Sequence, residues 1–309
     1  MDPITKALER ARQDGQSVRQ WVHPESGVQT PGALEPKTTD HNTTDHKTTD
    51  SETTDQEMHQ LDRSVLHQNR LLSGTDQEDP VITDLYRLLR TRILQIMRAN
   101  GWHSIGITSP SVKAGKTVTS INLASSIARE GNYEVTLIDA DIRKPSAAQY
   151  MGIEHPFGLP DFLDDRASLS DVVMKISDPV SLSFISGVSQ SNERPAPDIL
   201  KRNRMKELVN VLTRGSKSQF VVVDLPPVLI GDDVIAVAAN LDCLLMIVDE
   251  TSTSIDDLRH SAELLSQVNL VGTVMNKSIE KTESKADYYH YHRSSDVDEQ
   301  PNMSSAEDS

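Results

Sequence analysis

From Asp84 to Arg98 apolar side chains return every three or four positions. Leu85, Leu88, Leu89, Ile93 and Ile96 share one stripe, which predicts a helix packed on a core. Beyond it the period changes to short apolar runs bounded by charged and turn residues. These predict strands at Ser104–Thr108, Glu134–Asp139, Ser181–Ile185, Phe220–Asp224, Cys243–Asp249 and Leu270–Asn276. Runs such as FVVVD and LLMIVD do not alternate with polar residues, as expected of strands covered on both faces. Helical segments at Thr119–Glu130, Pro197–Thr213 and Ser254–Gln267 lie between them. Strand, helix and strand in succession predict an α/β domain over residues 81–280, a mainly parallel sheet with helices on both faces.

The ends of the chain carry a different pattern. Asp2, Pro3, Ile4, Ala7, Leu8 and Ala11 suit a short helix over residues 1–15. Residues 16–80 read as a disordered linker, because PKTTD, HNTTD, HKTTD and SETTD run in tandem from Pro36 to Asp55 with no branched aliphatic or aromatic residue. Residues 281–309 read as a disordered acidic tail holding Tyr288, Tyr289 and Tyr291. Charge follows the same division. The whole chain carries −15, of which residues 1–60 contribute −5 and residues 281–309 contribute −4. Such an excess of acid argues against nucleic acid as a partner. One cysteine, Cys243, excludes an internal disulfide and a cysteine-built zinc site. Neither a membrane span nor a secretory leader is legible, so the expected compartment is the cytoplasm.

Candidate chemistry gathers where the predicted strands end. SIGITSPSVKAGKT runs from a strand through a small-residue loop into a helix. Ser111, Val112, Lys113, Ala114, Gly115, Lys116, Thr117 and Val118 form that loop and helix start. Backbone N–H groups there can wrap a phosphate chain, Lys116 can neutralise its β and γ oxygens, and the Thr117 hydroxyl can ligate Mg²⁺. The loop departs from the usual pattern, with Pro110 where a glycine is expected five residues before Gly115. VTLIDADIRKP places Asp139 and Asp141 at another strand end, where positions i and i+2 of extended chain project to one side. FVVVDLPP closes a third strand on Asp224, placed to hold Mg²⁺ near the loop. The alternative for each aspartate is a helix cap, as expected for Asp232 and Asp233 before VIAVAANL. Three acids beside GKT on one sheet edge point instead to nucleotide binding.

LIDADIRKP beside a GKT loop and VVVDLPP resembles the bacterial tyrosine kinases, whose deviant-Walker P-loop NTPase fold is shared with the Min and Par ATPases. The likeness also takes in RPAPDIL, GTVMNKS and TDLYRLLRTRI, and it covers about residues 81–280. It implies ATP and Mg²⁺ as cofactors, Lys116 on the phosphates, and Mg²⁺ held by Thr117, Asp139 and Asp224. It further implies Asp139 as base or metal-water ligand, Asp141 as second acid, Arg143 as a phosphate or subunit contact and Asn276 beside the adenine. The activity implied is protein-tyrosine autokinase, regulating exopolysaccharide or capsule assembly, with transfer in trans to Tyr288, Tyr289 and Tyr291. A ring of copies would form through Asp84, Arg87 and Arg90. A membrane chain-length or export protein would recruit and activate it at the inner face of the membrane. The alternative within the same superfamily is a Min- or Par-type ATPase switch that transfers phosphate to water. Val112 and Lys113 stand where the family has Pro and Gly, and Ser111 stands where the Min and Par ATPases have an extra lysine.

Overall fold

The computed structural model of the chain describes residues 58–74, 78–188, 199–201, 203–214 and 218–278. In chain order the elements are β1 (Met58–Gln60), α1 (Arg63–Gln68), α2 (Pro80–Asn100), β2 (Ser104–Thr108), α3 (Lys116–Ala128), β3 (Glu134–Asp139) and α4 (Ala147–Met151). They continue with α5 (Leu159–Leu163), α6 (Leu169–Val172), β4 (Val173–Asp178), β5 (Leu182–Ile185), α7 (Asn203–Arg214) and β6 (Gln219–Asp224). Last come α8 (Asp233–Ala238), β7 (Cys243–Asp249), α9 (Ile255–Leu264) and β8 (Leu270–Asn276). Short 3₁₀ turns stand at Ile199–Lys201 and Val228–Ile230.

The eight strands form one sheet in the order β1-β4-β5-β3-β6-β2-β7-β8. Every pairing is parallel except β4 with β5. Alternation sorts the side chains of the central strands into two cores. Phe220 and Val222 of β6, with Cys243, Leu245 and Ile247 of β7, join one cluster with Ile93, Met97 and Ile121 of α2 and α3. Val221 and Val223, with Leu244, Met246 and Val248, join the other with Met205 and Leu208 of α7 and Val234 of α8. Polar alternation is missing from these strands because both of their faces are covered.

The folded part begins earlier than residue 81, which corrects the linker expectation for residues 16–80. Met58–Gln60 pairs with β4, and Leu66, Leu71 and Leu72 are buried. Asn69 donates to the Tyr150 carbonyl at 2.8 Å, and the Leu72 N–H donates to Asn122 Oδ1 at 2.9 Å. Asn122 returns a bond to the Arg70 carbonyl at 3.1 Å. This strap has little periodicity of its own; its polar groups and backbone bond to α3 and α4, which the local sequence cannot reveal. Val173–Asp178, which had not been expected as a strand, joins β1 to β5. The expected helix over Pro197–Thr213 is a 3₁₀ turn followed by α7. The short N-terminal helix, the TTD repeats, most of RPAPDIL and the tail with Tyr288, Tyr289 and Tyr291 lie outside the described residues. Among the described residues no helix is long and apolar enough to cross a membrane.

Candidate nucleotide site

β2, β3 and β6 lie side by side, so their C-terminal ends meet at one edge of the sheet. The loop after β2 is braced from below by the turn after β6. The Val228 N–H donates to the Ser109 carbonyl at 2.8 Å and the Leu229 N–H to the Pro110 carbonyl at 3.3 Å. Gly115 adopts φ +98° where α3 starts, and a Cβ there would meet Asn276 Nδ2 at 2.2 Å. Only glycine satisfies both the backbone angle and the contact. Lys113 also has positive φ, at 64°.

Lys116 opens α3 and turns its ammonium into the acids behind it. Its Nζ lies 2.8 Å from Asp141 Oδ2 and 3.7 Å from Asp224 Oδ1. The Thr117 hydroxyl donates to Asp224 Oδ2 at 2.7 Å, while Ser120 Oγ lies 3.1 Å from Asp224 Oδ1. Asp224 is wholly buried and faces Asp139 across the β3–β6 ladder. Burial opposes charge on Lys116, yet Asp224 and Asp141 outweigh it and hold the lysine above its ordinary value. Burial and the neighbouring Asp224 push Asp139 up to about 7. Burial likewise raises Asp224 against the opposing pull of Lys116.

Asp139 and Asp141 both act electrostatically on Lys116, but they make different contacts. β3 ends at Asp139 and the chain turns at once. Asp139 Oδ1 accepts the Asp141 N–H at 3.1 Å, and Oδ2 accepts those of Ser146 and Ala147 at 3.0 Å each. Three of a carboxylate's roughly four acceptor positions are thus spent on loop backbone. Asp141 is the acid of this pair that touches Lys116. Arg143 turns to α8, its Nε donating to Asp233 Oδ2 at 2.6 Å, so Asp233 is an arginine partner as well as the first residue of α8.

A cavity of about 820 Å³ opens beside the loop. Val112, Lys113, Gly115, Lys116, Thr117, Val118, Asp141 and Asn276 line it, as the sequence led one to expect of a binding site. Ser111 and Ala114 contribute to the loop without lining the cavity, and Ala114 is buried. Sequence reasoning missed Tyr86, Lys144, Ser146 and Lys277, which also line it. Lys144 and Ser146 sit inside and just after LIDADIRKP, close enough to have been flagged; nothing local marked Tyr86. Asn276, expected beside an adenine, donates its amide to the Ala114 carbonyl at 2.8 Å. The lining fits a nucleotide and its metal. Cations and a helix start suit phosphates, Leu85, Leu89, Val274 and Met275 suit a base, and the volume lies in the range of small-molecule sites. Among the described residues no group of three or more His, Cys, Asp or Glu could hold a metal by itself. Mg²⁺ asks for less, one or two carboxylates and a hydroxyl beside phosphate oxygens. Thr117 lines the cavity, and its hydroxyl lies 2.7 Å from the carboxylate of Asp224, which is buried behind it.

The three residues expected to form a ring contact divide. Asp84 and Arg87 pair with each other on the surface of α2 at 3.0 Å. Arg90 instead packs inward, bonding the Ser126 carbonyl at 3.0 Å and Glu130 at 3.0 Å.

A family model described as "ParA: NUBPL iron-transfer P-loop NTPase" matches residues 102–305. The chain is 33% identical over 209 residues to a putative tyrosine-protein kinase EpsB of Ralstonia nicotianae, covering 67% of this chain and 27% of that one. It therefore spans about a quarter of that relative's length. It is 29% identical to the tyrosine-protein kinase YwqD of Bacillus subtilis, covering 67% and 86%. Of solved structures, the kinase domain of VpsO aligns with a TM-score of 0.54 and 27% identity, covering 65% of this chain and all of that one. The BceF tyrosine kinase domain, at 24% identity and a TM-score of 0.58, shares the fold, with coverage of 71% and 91%.

Proposed function

The chain belongs to the ParA family of P-loop NTPases, and we propose that within it the protein is an ATP- and Mg²⁺-dependent protein-tyrosine kinase. One observation carries the reading: Lys116, Thr117, Asp141 and Asp224 converge within hydrogen-bond and ion-pair distance beside a cavity that holds a nucleotide's volume. ATP would supply the transferable γ-phosphoryl group, and Mg²⁺ a positive charge that offsets the negative charge on its oxygens. Lys116 exchanges its bond with Asp141 for phosphate oxygens, which frees Asp141. Thr117 and Asp224 would hold the metal, and the loop amides would hold the phosphates. Asp141 accepts the phenolic proton as the tyrosine oxygen attacks the γ-phosphorus in line, and the bond to the β,γ-bridging oxygen breaks to release ADP. We assign that role to Asp141 rather than Asp139, whose oxygens are occupied by backbone N–H groups. Asp139 fixes the turn that carries Asp141.

The acceptor class is supported by the tyrosine-kinase names of the relatives. The finer reading is autophosphorylation in trans of Tyr288, Tyr289 and Tyr291, in a ring of copies, under a membrane chain-length or export protein that recruits the chain from the cytoplasm during exopolysaccharide or capsule assembly. Arg90 serves the fold in this reading, leaving Asp84 and Arg87 on the surface. For iron transfer, which the family description names, the chain offers a single thiol, the buried Cys243. The ParA match favours one other reading, an ATPase switch that transfers to water.

Purified protein incubated with γ-labelled ATP and Mg²⁺ separates the two. Label retained on tyrosine supports the kinase; free phosphate with unlabelled protein refutes it and supports the switch. Mixing full-length Lys116→Met protein with wild type truncated after Ser278 tests the trans reading. Phosphate on Tyr288, Tyr289 or Tyr291 of the inactive chain is expected, and its absence overturns transfer between copies.

A further inference from the structure

The phosphate loop is tied on its outer side by the end of β8. Asn276 Nδ2 donates to the Ala114 carbonyl at 2.8 Å, and Lys277 Nζ donates to the Lys113 carbonyl at 2.7 Å. Lys277 is anchored in turn, with its Nζ 2.8 Å from Asp249 Oδ2 at the end of β7. Asp249 is buried and oriented by the Thr251 N–H at 2.9 Å and the Thr251 hydroxyl at 2.6 Å. Both Lys113 and Lys277 hold positive φ, 64° and 58°, a conformation that non-glycine residues adopt only where surroundings impose it.

In a trans peptide the carbonyl of one residue and the N–H of the next point in opposite directions. Capturing the carbonyls of Lys113 and Ala114 therefore fixes the directions of the Ala114 and Gly115 N–H groups. Those are amides that a loop of this kind offers to phosphate oxygens. A glycine-rich loop reaches such a shape without help from outside. This one has Val112-Lys113-Ala114 ahead of its single glycine.

We infer that Lys277, anchored by Asp249, is a positioning residue that holds the phosphate loop in its binding shape, a task the loop's own sequence does not perform. The inference rests on the nucleotide-binding reading above. Lys277 contributes through the loop backbone, and its charge is shared with Asp249 before any phosphate arrives. Removing it frees the Lys113 carbonyl and lets that peptide rotate.

The test uses the full chain as wild type, Lys277→Met, Lys277→Arg and Asp249→Asn, with two readouts. One is affinity for ADP with Mg²⁺ by calorimetry. The other is amide hydrogen exchange over residues 111–117 without ligand. Lys277→Met is expected to weaken ADP about tenfold or more, the loss of one charge-assisted hydrogen bond, and to speed exchange across the loop. Lys277→Arg, which keeps charge and donors, should recover most of both; Asp249→Asn, which puts an amide where Lys277 is anchored, should fall between. Wild type that binds ADP, with Lys277→Met and Asp249→Asn matching it in affinity and exchange, overturns the latch. Wild type that binds no ADP removes the nucleotide reading instead, while the exchange measurement still decides whether Lys277 holds the loop.

Discussion

Replacing Lys116 by Met removes a cation from between buried carboxylates, and the consequence depends on pH in a way the structure dictates. The ammonium lies 2.8 Å from Asp141 and 3.7 Å from Asp224, and the three side chains are 9%, 8% and 0% exposed. At an effective dielectric of about 20 those separations correspond to gross attractions of about 6 and about 4 kcal/mol, much of it offset by desolvation. Removing one partner of such a site costs about 3–5 kcal/mol, because the remaining charge stays buried without compensation. Lys116 is held above its ordinary value, so its own contribution is fully present below about pH 10 and is lost only above it. Variation between pH 5.5 and 8 must then come from the carboxylates. Asp139, raised to about 7, keeps its proton in the folded chain while the unfolded chain loses it, so its penalty on stability builds as pH rises from about 4 to about 7. Without Lys116, Asp139 and Asp224 lose a neighbouring positive charge that opposes their upward shift. They rise further, and a proton taken up at lower pH offsets part of the missing charge. Urea denaturation without nucleotide should show Lys116→Met destabilised by about 3–5 kcal/mol at pH 8 and by distinctly less at pH 5.5. An equal loss at both values, or none at pH 8, refutes the placement of Lys116 among ionised acids.

Three further outcomes follow from named contacts. Asp139→Asn should cost about 1–3 kcal/mol in denaturation, since an amide nitrogen must face backbone N–H groups, whereas Asp141→Asn should lower phosphoryl transfer at least about tenfold with less effect on stability. Leu66→Ala should destabilise by about 2–5 kcal/mol, while deleting residues 31–55 should leave the melting temperature within about a degree, because the strap fills the core and the TTD repeats have nothing apolar to bury. Cys243, wholly buried and pushed by burial up to about 12, should ignore a thiol reagent at pH 8 in the native protein and react stoichiometrically after unfolding.

The sheet's centre was legible because its signal is local. Strands covered on both faces run apolar through their interiors, and β6 and β7 do so from Phe220 to Val223 and from Cys243 to Val248. The loop, Lys116, Thr117 and Asp224 were legible because their chemistry depends on neighbours in sequence and on strand ends. Elements held by distant partners were not. Leu66, Leu71 and Leu72 sit among polar residues, and the strap that carries them bonds to Asn122 and Tyr150, 50 and 81 positions away. The separate contacts of Asp139 and Asp141 were not legible either, because β3 stops at the first of the two and the chain turns there. Beyond that residue one carboxylate becomes the brace of a turn and the other the partner of Lys116.

The same distinction accounts for a phosphate loop that breaks its own rule. Pro110, Val112 and Lys113 occupy positions where flexible small residues are expected, and a loop so built must find its shape elsewhere. It is braced on one side by the turn after β6, through the Ser109 and Pro110 carbonyls, and on the other by β8, through those of Lys113 and Ala114. Conformational freedom that glycine would supply within the loop is replaced by restraint from two flanking strands. Such a loop is already ordered before ligand arrives, so less ordering entropy opposes binding. The arrangement also makes the loop depend on residues about 120 to 165 positions away, and one of these, Lys277, is among the last described residues before the segment that contains Tyr288.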